Sequence, residues 1–586
     1  MSENFKQCLP VLCGALIAGF LCVLPAVLAP QALGNEYRGI PFFYLNNEEY
    51  YLARMQEIAD GHASVASPVF YEYKDRPAMV PPIGEFLYVS MAKMLGISFA
   101  SAIVLAKFLF PALLFLLVYF LVCKLMEGMS RGIATLAALS AALLVVLGYD
   151  FVDVHRTLAV VTDSLHDTQL SLWTRPVNPI TGALFLFGYL LMLWKLFKKP
   201  SVPIAIGAGL LAGACIGYIF AWAIALTVLC LLIVYVLIRK EWLTLRYFLI
   251  TVLSIVVVDG VYVLGMAKAG EDARAAVMNG LILTHAPIIN KVATLTIVLF
   301  IIGLVTLYRK STVQKILEEK WIVFSLALAA TSIVVFSQQL ITGRTIWPYH
   351  FVQYTIPISY IVLSVVYFRM IHKKPWLLYL SSALVIGACL FYGIASVRSY
   401  SYSMGHFRAM QDYTPVLDYL SLHAPKDSVV LADEPKEEFM RLVPAFTRSN
   451  VYLSGYLGAV PPEERLYHNF LVKMKLEGVT ALGAREYLES HEVDVREYFF
   501  TDWNHLFRRE RDPQSTMRIE ELLQRYKMFI KNDFGEELKK YRIDYFVTTR
   551  PFDLRLLRSL KPVEVFRFGD LTVYALQSSA SISSIE

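Results

Sequence analysis

The residues able to do chemistry fall in four segments between long apolar stretches. Asn46-Asn47-Glu48-Glu49-Tyr50-Tyr51 sets two carboxylates side by side. Tyr149–Val177 carries Asp150, Asp153, His155, Arg156, Asp163, His166, Asp167 and Arg175. Ala267–Lys291 contains Thr284-His285-Ala286-Pro287, and Ser337–His350 contains Arg344, Trp347 and His350. Carboxylates and imidazoles move protons, and guanidinium forks grip phosphate oxygens. Together these side chains are the inventory for phosphate clamping with proton transfer. Each has a plainer role too. Paired acids stabilise a helix N-terminus, arginines at span edges snorkel or pair with acids, and a lone histidine there is a satisfied interfacial group. Asp150 and Asp153 read as solvated, and the aromatic run Phe70–Tyr73 reads as packing before sugar stacking.

The first of these segments belongs to a long loop, about Pro30 to Ile97, and long ordered loops are usually functional. Its pattern predicts a helix over Asn46–Asp60, capped by Asn46 or Asn47, with Glu48 and Glu49 in the first turn and Gly61 after its end. Ala63–Pro82 is turn-rich. Ile83–Leu95 is an amphipathic helix suited to lie on a membrane surface, with Glu85 and Lys93 as its charged positions.

The rest of the chain explains what holds these segments. Of 586 residues, 56% are hydrophobic and only 17% charged, with a mean hydropathy of +0.52. This excludes a single soluble domain, a disordered chain and a disulfide-rich module. About eleven stretches match the roughly 20 apolar residues of a membrane crossing: Cys8–Leu28, Ser98–Cys123, Gly132–Gly148, Asn178–Trp194, Val202–Cys215, Gly217–Leu237, Tyr247–Met266, Val292–Leu307, Trp321–Phe336, Phe351–Phe368 and Trp376–Val397. The fifth and sixth read as a hairpin. Cys8–Leu28 reads as a retained anchor rather than a cleaved signal peptide.

Basic residues mark alternate connections: Lys124 and Arg131, Lys195 to Lys199, Arg239 to Arg246, Arg309 to Lys320 and Arg369 to Lys374. The positive-inside rule makes those connections cytoplasmic. An odd number of spans then puts the N-terminus inside and the C-terminal part outside, in a multi-pass protein of the cell membrane. The chemistry-bearing segments all fall on that outer face. A transporter or flippase would show internal repeats and charged or broken helices at the midplane, whereas these spans are nearly free of charge, with Lys107 and Asp259 as the main exceptions, both near span ends. A transporter of lipid-linked glycans and a non-catalytic membrane scaffold are the alternative readings.

Residues 1–400 form the apolar part and 401–586 a charged, water-soluble extracytoplasmic part, which holds about 53 of the 102 charged residues. The soluble part reads as α/β. Strands are expected at Val429–Ala432, Val451–Leu453 and Ile543–Thr548, with a hairpin of Val563–Phe568 and Leu571–Ala575. Helices are expected at Tyr413–His423, Glu463–Gly478, Ala484–His491 and Ile519–Phe534. Ala432-Asp433-Glu434-Pro435 follows a strand end, where α/β sheets bind ligands, although turn formation explains it equally well. No Gly-rich phosphate loop, nucleophile elbow or zinc motif occurs there, so it reads as a cover or acceptor-recognition part. All seven cysteines lie in or beside spans. The basic excess sits at helix ends, so no nucleic-acid partner is indicated.

In its many-span plan, long first outside loop and early acidic pair, the chain resembles the GT-C superfamily of integral-membrane glycosyltransferases. That group includes protein O-mannosyltransferases, aminoarabinose transferases and oligosaccharyltransferase catalytic subunits. Asn47-Glu48-Glu49-Tyr50-Tyr51 is similar in position and chemistry to their acidic motif, with Glu-Glu where Asp is usual. A Trp-Trp-Asp-Tyr-Gly-type motif is not evident, which points away from the oligosaccharyltransferase branch. The resemblance implies inverting transfer of a sugar from a polyprenyl-phosphate or diphosphate donor, among the membrane lipids, to a glycan, lipid or protein acceptor. It implies Glu49, or Glu48, as the base. Arg175, Arg344, His285 and His350, beside Tyr50 and Tyr51, become candidates to hold the donor. Mg2+ or Mn2+ is conceivable if Asp163, His166 and Asp167 converge with the glutamates.

Overall fold

A computed structural model describes residues 3–43, 48–74, 76, 80–162, 164, 171–267, 282–309, 312–433, 438–454, 461–499 and 513–577. The apolar part is helical. In chain order, α1 is Glu3–Leu33, α2 Glu48–Ala59, α3 Ile83–Leu95, α4 Phe99–Leu125, α5 Arg131–Val146 and α6 Val154–Val161. Then come α7 Ile180–Lys198, α8 Val202–Ala214, α9 Ile219–Ile238, α10 Trp242–Ala267, α11 Lys291–Leu307, α12 Lys320–Ser337, α13 Val352–Ile371 and α14 Pro375–Arg398. Among the described residues, eight helices are long and apolar enough to cross a membrane, and α5, α8 and α11 are shorter apolar helices. The expected stretches are therefore all helical. The fifth and sixth are separate helices, broken by a single turn at Cys215–Gly217.

Small residues let the bundle close. A Cβ at Gly19 on α1 would stand 2.4 Å from the Phe108 carbonyl of α4, so these backbones meet where only glycine fits. Ser98 caps α4 by accepting from Ser101 N at 3.1 Å.

The C-terminal part forms a five-stranded mixed sheet. Two short strands, β1 (Ile282–Leu283) and β2 (Arg344–Thr345), make an antiparallel ribbon earlier in the chain. The sheet itself uses β3 (Val429–Ala432), β4 (Asn450–Val451), β5 (Tyr545–Thr548), β6 (Val563–Phe568) and β7 (Leu571–Ala575) in the order β4-β3-β5-β7-β6. β3 runs parallel to β4 and β5, while β7 is antiparallel to β5 and β6. Helices α15 (Thr414–His423), α16 (Glu438–Phe446), α17 (Glu463–Leu476) and α18 (Pro513–Phe529) accompany it. The β6–β7 hairpin turns at Gly569, whose φ of +56° suits glycine. The fourth strand ends sooner than expected, at Val451 rather than Leu453, although Tyr452 N still donates to Val430 O at 2.9 Å.

The first loop joins the two parts. Ile40, Val69, Phe70 and Tyr73 are buried in the core of the sheet, not in the helical bundle. The aromatic run therefore packs, but onto the C-terminal unit. Val69 O accepts from Val451 N at 2.9 Å, continuing the sheet's edge. Gln411 bonds Ile40 O through Nε2 at 3.0 Å and accepts from Arg38 N at 3.0 Å. Lys74 pairs with Glu57 at 2.9 Å and with Asp427, and Arg448 pairs with Asp60 at 3.0 Å. Arg465 of α17 is fully buried, stacked 3.7 Å from the centre of the Tyr541 ring and 5.2 Å from that of Phe70.

Candidate active site

Helix α2 begins at Glu48, so both acids occupy its first turn as expected. The residues expected to cap it, Asn46 and Asn47, lie outside the described residues. Burial separates the two acids. Glu48 is fully buried, and Lys107 of α4 donates to its Oε2 at 2.7 Å. That ion pair closes the helix-to-loop junction, and a buried charge of this kind needs its partner. Glu49 is 8% exposed. Its Oε1 lies 4.0 Å from a guanidinium nitrogen of Arg441, which comes from α16 of the C-terminal unit.

The next turn of α2 fixes the floor. Arg54 forms a buried ion pair with Glu85 of α3 and lies 5.7 Å from the Tyr50 ring centre. Glu85 was expected on an exposed helix surface. It is buried because α3 turns Gly84, Glu85, Tyr88, Val89 and Ala92 inward, while Phe86, Leu87, Met94 and Leu95 stay exposed. Burial, above all, raises the Tyr50 and Tyr51 hydroxyls above their ordinary range, which keeps both neutral.

Arg175 comes from the turn before α7 and stands over the Tyr51 ring at 5.6 Å. Among the described residues its side chain makes no hydrogen bond or ion pair, and its Nε is buried without a partner. Tyr51 first, then Tyr218, Glu48 and Glu49, holds this guanidinium above its ordinary value. The turn is pinned on both sides. Trp173 Nε1 donates to Val145 O at 2.7 Å, Val177 N donates to Tyr88 Oη at 3.2 Å, and Tyr354 Oη donates to Pro179 O at 2.9 Å. Val177 has φ +58°, a left-handed backbone that a β-branched residue rarely adopts.

His350 approaches from the opposite wall. It stacks on Phe220 (centroids 4.9 Å apart, planes 15° apart) and abuts Tyr349 at 4.5 Å. Its Nδ1 is buried without a hydrogen-bond partner. Tyr218 adjoins this wall: its ring lies 6.4 Å from His350 and its hydroxyl donates to Gln353 at 2.7 Å. Trp347, three residues before His350, also has positive φ, at +29°. Strained backbone thus flanks the site on both sides.

The structure brings Glu48, Glu49, Tyr50, Tyr51, Arg175 and His350 into one region. Arg344 stands on the β1–β2 ribbon, and His285 lies two residues beyond its first strand. Both are exposed, and His285 Nδ1 lies 3.3 Å from Leu340 O. Among the described residues, no hydrogen bond or ion pair links either to the glutamates or to Arg175. Asp163, His166 and Asp167 lie outside the described residues, and among those described no group of three or more His, Cys, Asp or Glu is placed to hold a metal. Asp150 departs from its solvated reading. It is buried, accepts from Tyr392 Oη at 2.9 Å and sits 3.5 Å from Arg156, and burial raises its carboxyl above the usual range. Asp153 caps α6 by accepting from Arg156 N at 3.0 Å.

Sequence reasoning missed two members. Lys107 was visible as a charge in an apolar stretch, which marks a functional or paired residue. Arg441 gave no signal, because only tertiary folding brings it to Glu49.

No family model and no curated protein matches the chain. Among solved structures it is similar to ArnT from Cupriavidus metallidurans bound to undecaprenyl phosphate, with TM-score 0.47 and 11% identity over 98% of each chain. It is also similar to the Archaeoglobus fulgidus oligosaccharyltransferase in complex with zinc and sulfate (TM-score 0.45, 12% identity, 92% of this chain and 68% of that one). A third likeness is to the archaeal oligosaccharyltransferase AglB from Archaeoglobus fulgidus with an inhibitory peptide and a dolichol-phosphate (TM-score 0.42, 12% identity, 93% and 70%).

Proposed function

We propose that the protein is a membrane glycosyltransferase that moves a sugar from a polyprenyl-phosphate donor to an acceptor on the outer membrane face, with inversion. The observation that carries this reading is a carboxylate and a guanidinium in one region: Glu49 at the head of α2, and Arg175 above the Tyr51 ring with its buried Nε unpartnered among the described residues. Glu48 is fully buried against Lys107, and Glu49, 8% exposed, is the more accessible of the two acids.

The step balances as follows. The bond between the anomeric carbon and the donor phosphate oxygen breaks, and its electron pair stays on that oxygen. Arg175 stabilises the phosphate as its charge grows. The acceptor oxygen attacks the opposite face of the anomeric carbon and forms the new bond, and its proton passes to Glu49. Tyr51 and Tyr218 fix the guanidinium, and His350 closes the wall opposite. The products are the glycosylated acceptor and polyprenyl phosphate.

The test uses purified protein in lipid nanodiscs with a panel of polyprenyl-phosphate sugars and envelope glycolipid acceptors. Glu49→Gln is expected to lower kcat by about 10²–10⁴, the usual contribution of a positioned base. Arg175→Ala is expected to lower kcat/KM and to weaken polyprenyl phosphate binding. Full transfer by both variants overturns the assignment.

A further inference from the structure

The proposed chemistry leaves helix α6 without a task. It follows α5 through the short turn at Tyr149–Val152 and is capped by Asp153. Val154, Leu158 and Val161 recur at spacings of four and three, so they share one stripe about 60° wide on the helix surface. All three are exposed, at 63%, 54% and 39%. Arg156, Ala159 and Val160, on the opposite side, are partly covered. A stripe of large aliphatic side chains turned outward marks a contact with something apolar.

The base of α6 is fixed by contacts with two spans. Asp150 accepts from Tyr392 Oη of α14 at 2.9 Å, and the Phe151 ring meets that of Tyr392 edge-on with centres 5.3 Å apart. Tyr360 Oη of α13 donates to Gly148 O at 2.9 Å. Thr157 Oγ1 donates to Asp150 O at 3.0 Å and ties the first turn of α6 to the same point. The stripe is thus held outward. These anchors also set its depth. Tyr392 stands about 9 Å along α14 short of Arg398, where that helix ends. At this level α14, one of the helices long and apolar enough to cross a membrane, still exposes Phe391 and Ile394, which in a spanning helix meet lipid. Helix α6 packs on α14, so its stripe continues a lipid-facing surface.

We infer that α6 is an interfacial helix whose stripe of Val154, Leu158 and Val161 is buried among the phospholipid acyl chains at that end of the bundle. Asp153, His155 and Thr162, all exposed, then lie toward the headgroups. The occupant is lipid rather than a second protein, because the stripe adjoins a spanning helix at a level where that helix itself faces lipid. Helix α6 precedes the turn that carries Arg175, so lipid grips the chain shortly before it reaches the candidate site.

The test needs no turnover. A photoreactive benzophenone amino acid replaces Val154 or Leu158 in the full-length protein. It also replaces Phe391, as a lipid-facing control, and Leu482, which is 97% exposed on the C-terminal unit. The proteins are irradiated in intact membranes, purified and weighed by intact-protein mass spectrometry. Adducts of phospholipid mass are expected at positions 154, 158 and 391 and not at 482. Adducts at 391 with none at 154 and 158 overturn the inference, and so does an adduct of protein mass at the α6 positions in place of lipid. In a further protein the probe replaces Val161 and the stripe carries Val154→Asp and Leu158→Asp. Its lipid adduct is expected to be lost relative to the same probe beside the native stripe, because carboxylates on that face oppose burial in hydrocarbon. An undiminished adduct there shows that the apolar stripe does not carry the contact and equally overturns the inference.

Discussion

Lys107 and Glu48 illustrate how a single pair can organise a site without taking part in its chemistry. Both side chains are almost completely buried, at 3% and 0% exposure, with 2.7 Å between the charged atoms. Their mutual attraction offsets desolvation only while both are present. Lys107→Met therefore takes away the cation that donates to a buried carboxylate and is expected to cost about 3–5 kcal/mol in stability. The double variant Lys107→Met/Glu48→Gln removes both charges and is expected to recover most of that loss. Thermal unfolding of the three proteins in detergent checks this, and equal melting of single and double variants would contradict it. The pair also accounts for what sequence could and could not tell about the acids. Adjacent glutamates at a helix start were legible as a motif, and the choice between them was not. That choice depends on a lysine 59 positions away, whose partner cannot be read from spacing.

At the level of elements, hydropathy was the most legible property. Each expected span is a helix, because an apolar run of this length has no other way to satisfy its backbone in lipid. The strands of the C-terminal sheet were legible from β-branched runs, and the three ends that moved, at Asn450, Val451 and Tyr545, are element boundaries. Surface helix α3 was legible in length and wrong in its charges, since Glu85 turns inward to meet Arg54. Amphipathic spacing shows which residues share a face but does not show that a neighbouring helix will supply a buried arginine. The same helix carries the tightest constraint near the site. A Cβ at Gly84 would stand 2.6 Å from Val177 Cγ1 and 2.8 Å from Thr181 Oγ1. Both neighbours are stiff β-branched side chains, and Val177 already holds a strained backbone. Gly84→Ala is expected to push α3 off α7, to cost about 1–3 kcal/mol and to displace Arg175. Its readouts are the melting temperature and the affinity for polyprenyl phosphate, and a variant unchanged in both would refute the coupling between this contact and the site.

For the whole molecule, the charge pattern makes a topological statement that labelling can test. The first loop, the turn before α7 and the segment ending in His350 meet at one end of the bundle, where the C-terminal sheet also docks. Basic residues such as Lys374 lie in connections assigned to the cytoplasm by the positive-inside rule. Leu482 is 97% exposed on the C-terminal unit. In a cysteine-free background, Leu482→Cys is expected to react with a membrane-impermeant maleimide on intact cells, and Lys374→Cys only after permeabilisation. The reverse pattern would invert the assigned orientation. Sequence could sort charges between two faces, but it could not show that the two parts of the chain share one site. That sharing lies in contacts such as Phe70 in the sheet core and Arg441 against Glu49, each spanning hundreds of residues.

The bond from Arg38 to Gln411 joins positions 373 residues apart, and Val451 completes the edge begun at Val69. At a synthesis rate of about 5–20 residues per second, the first loop waits about 20–70 s for the segments that bury Ile40, Phe70 and Tyr73. Throughout that interval it presents apolar side chains and an unpaired strand edge. The newborn protein is therefore most vulnerable to proteases and to mispairing with other chains in its first long loop, and a holding chaperone would act there, before the last third of the polypeptide has been made.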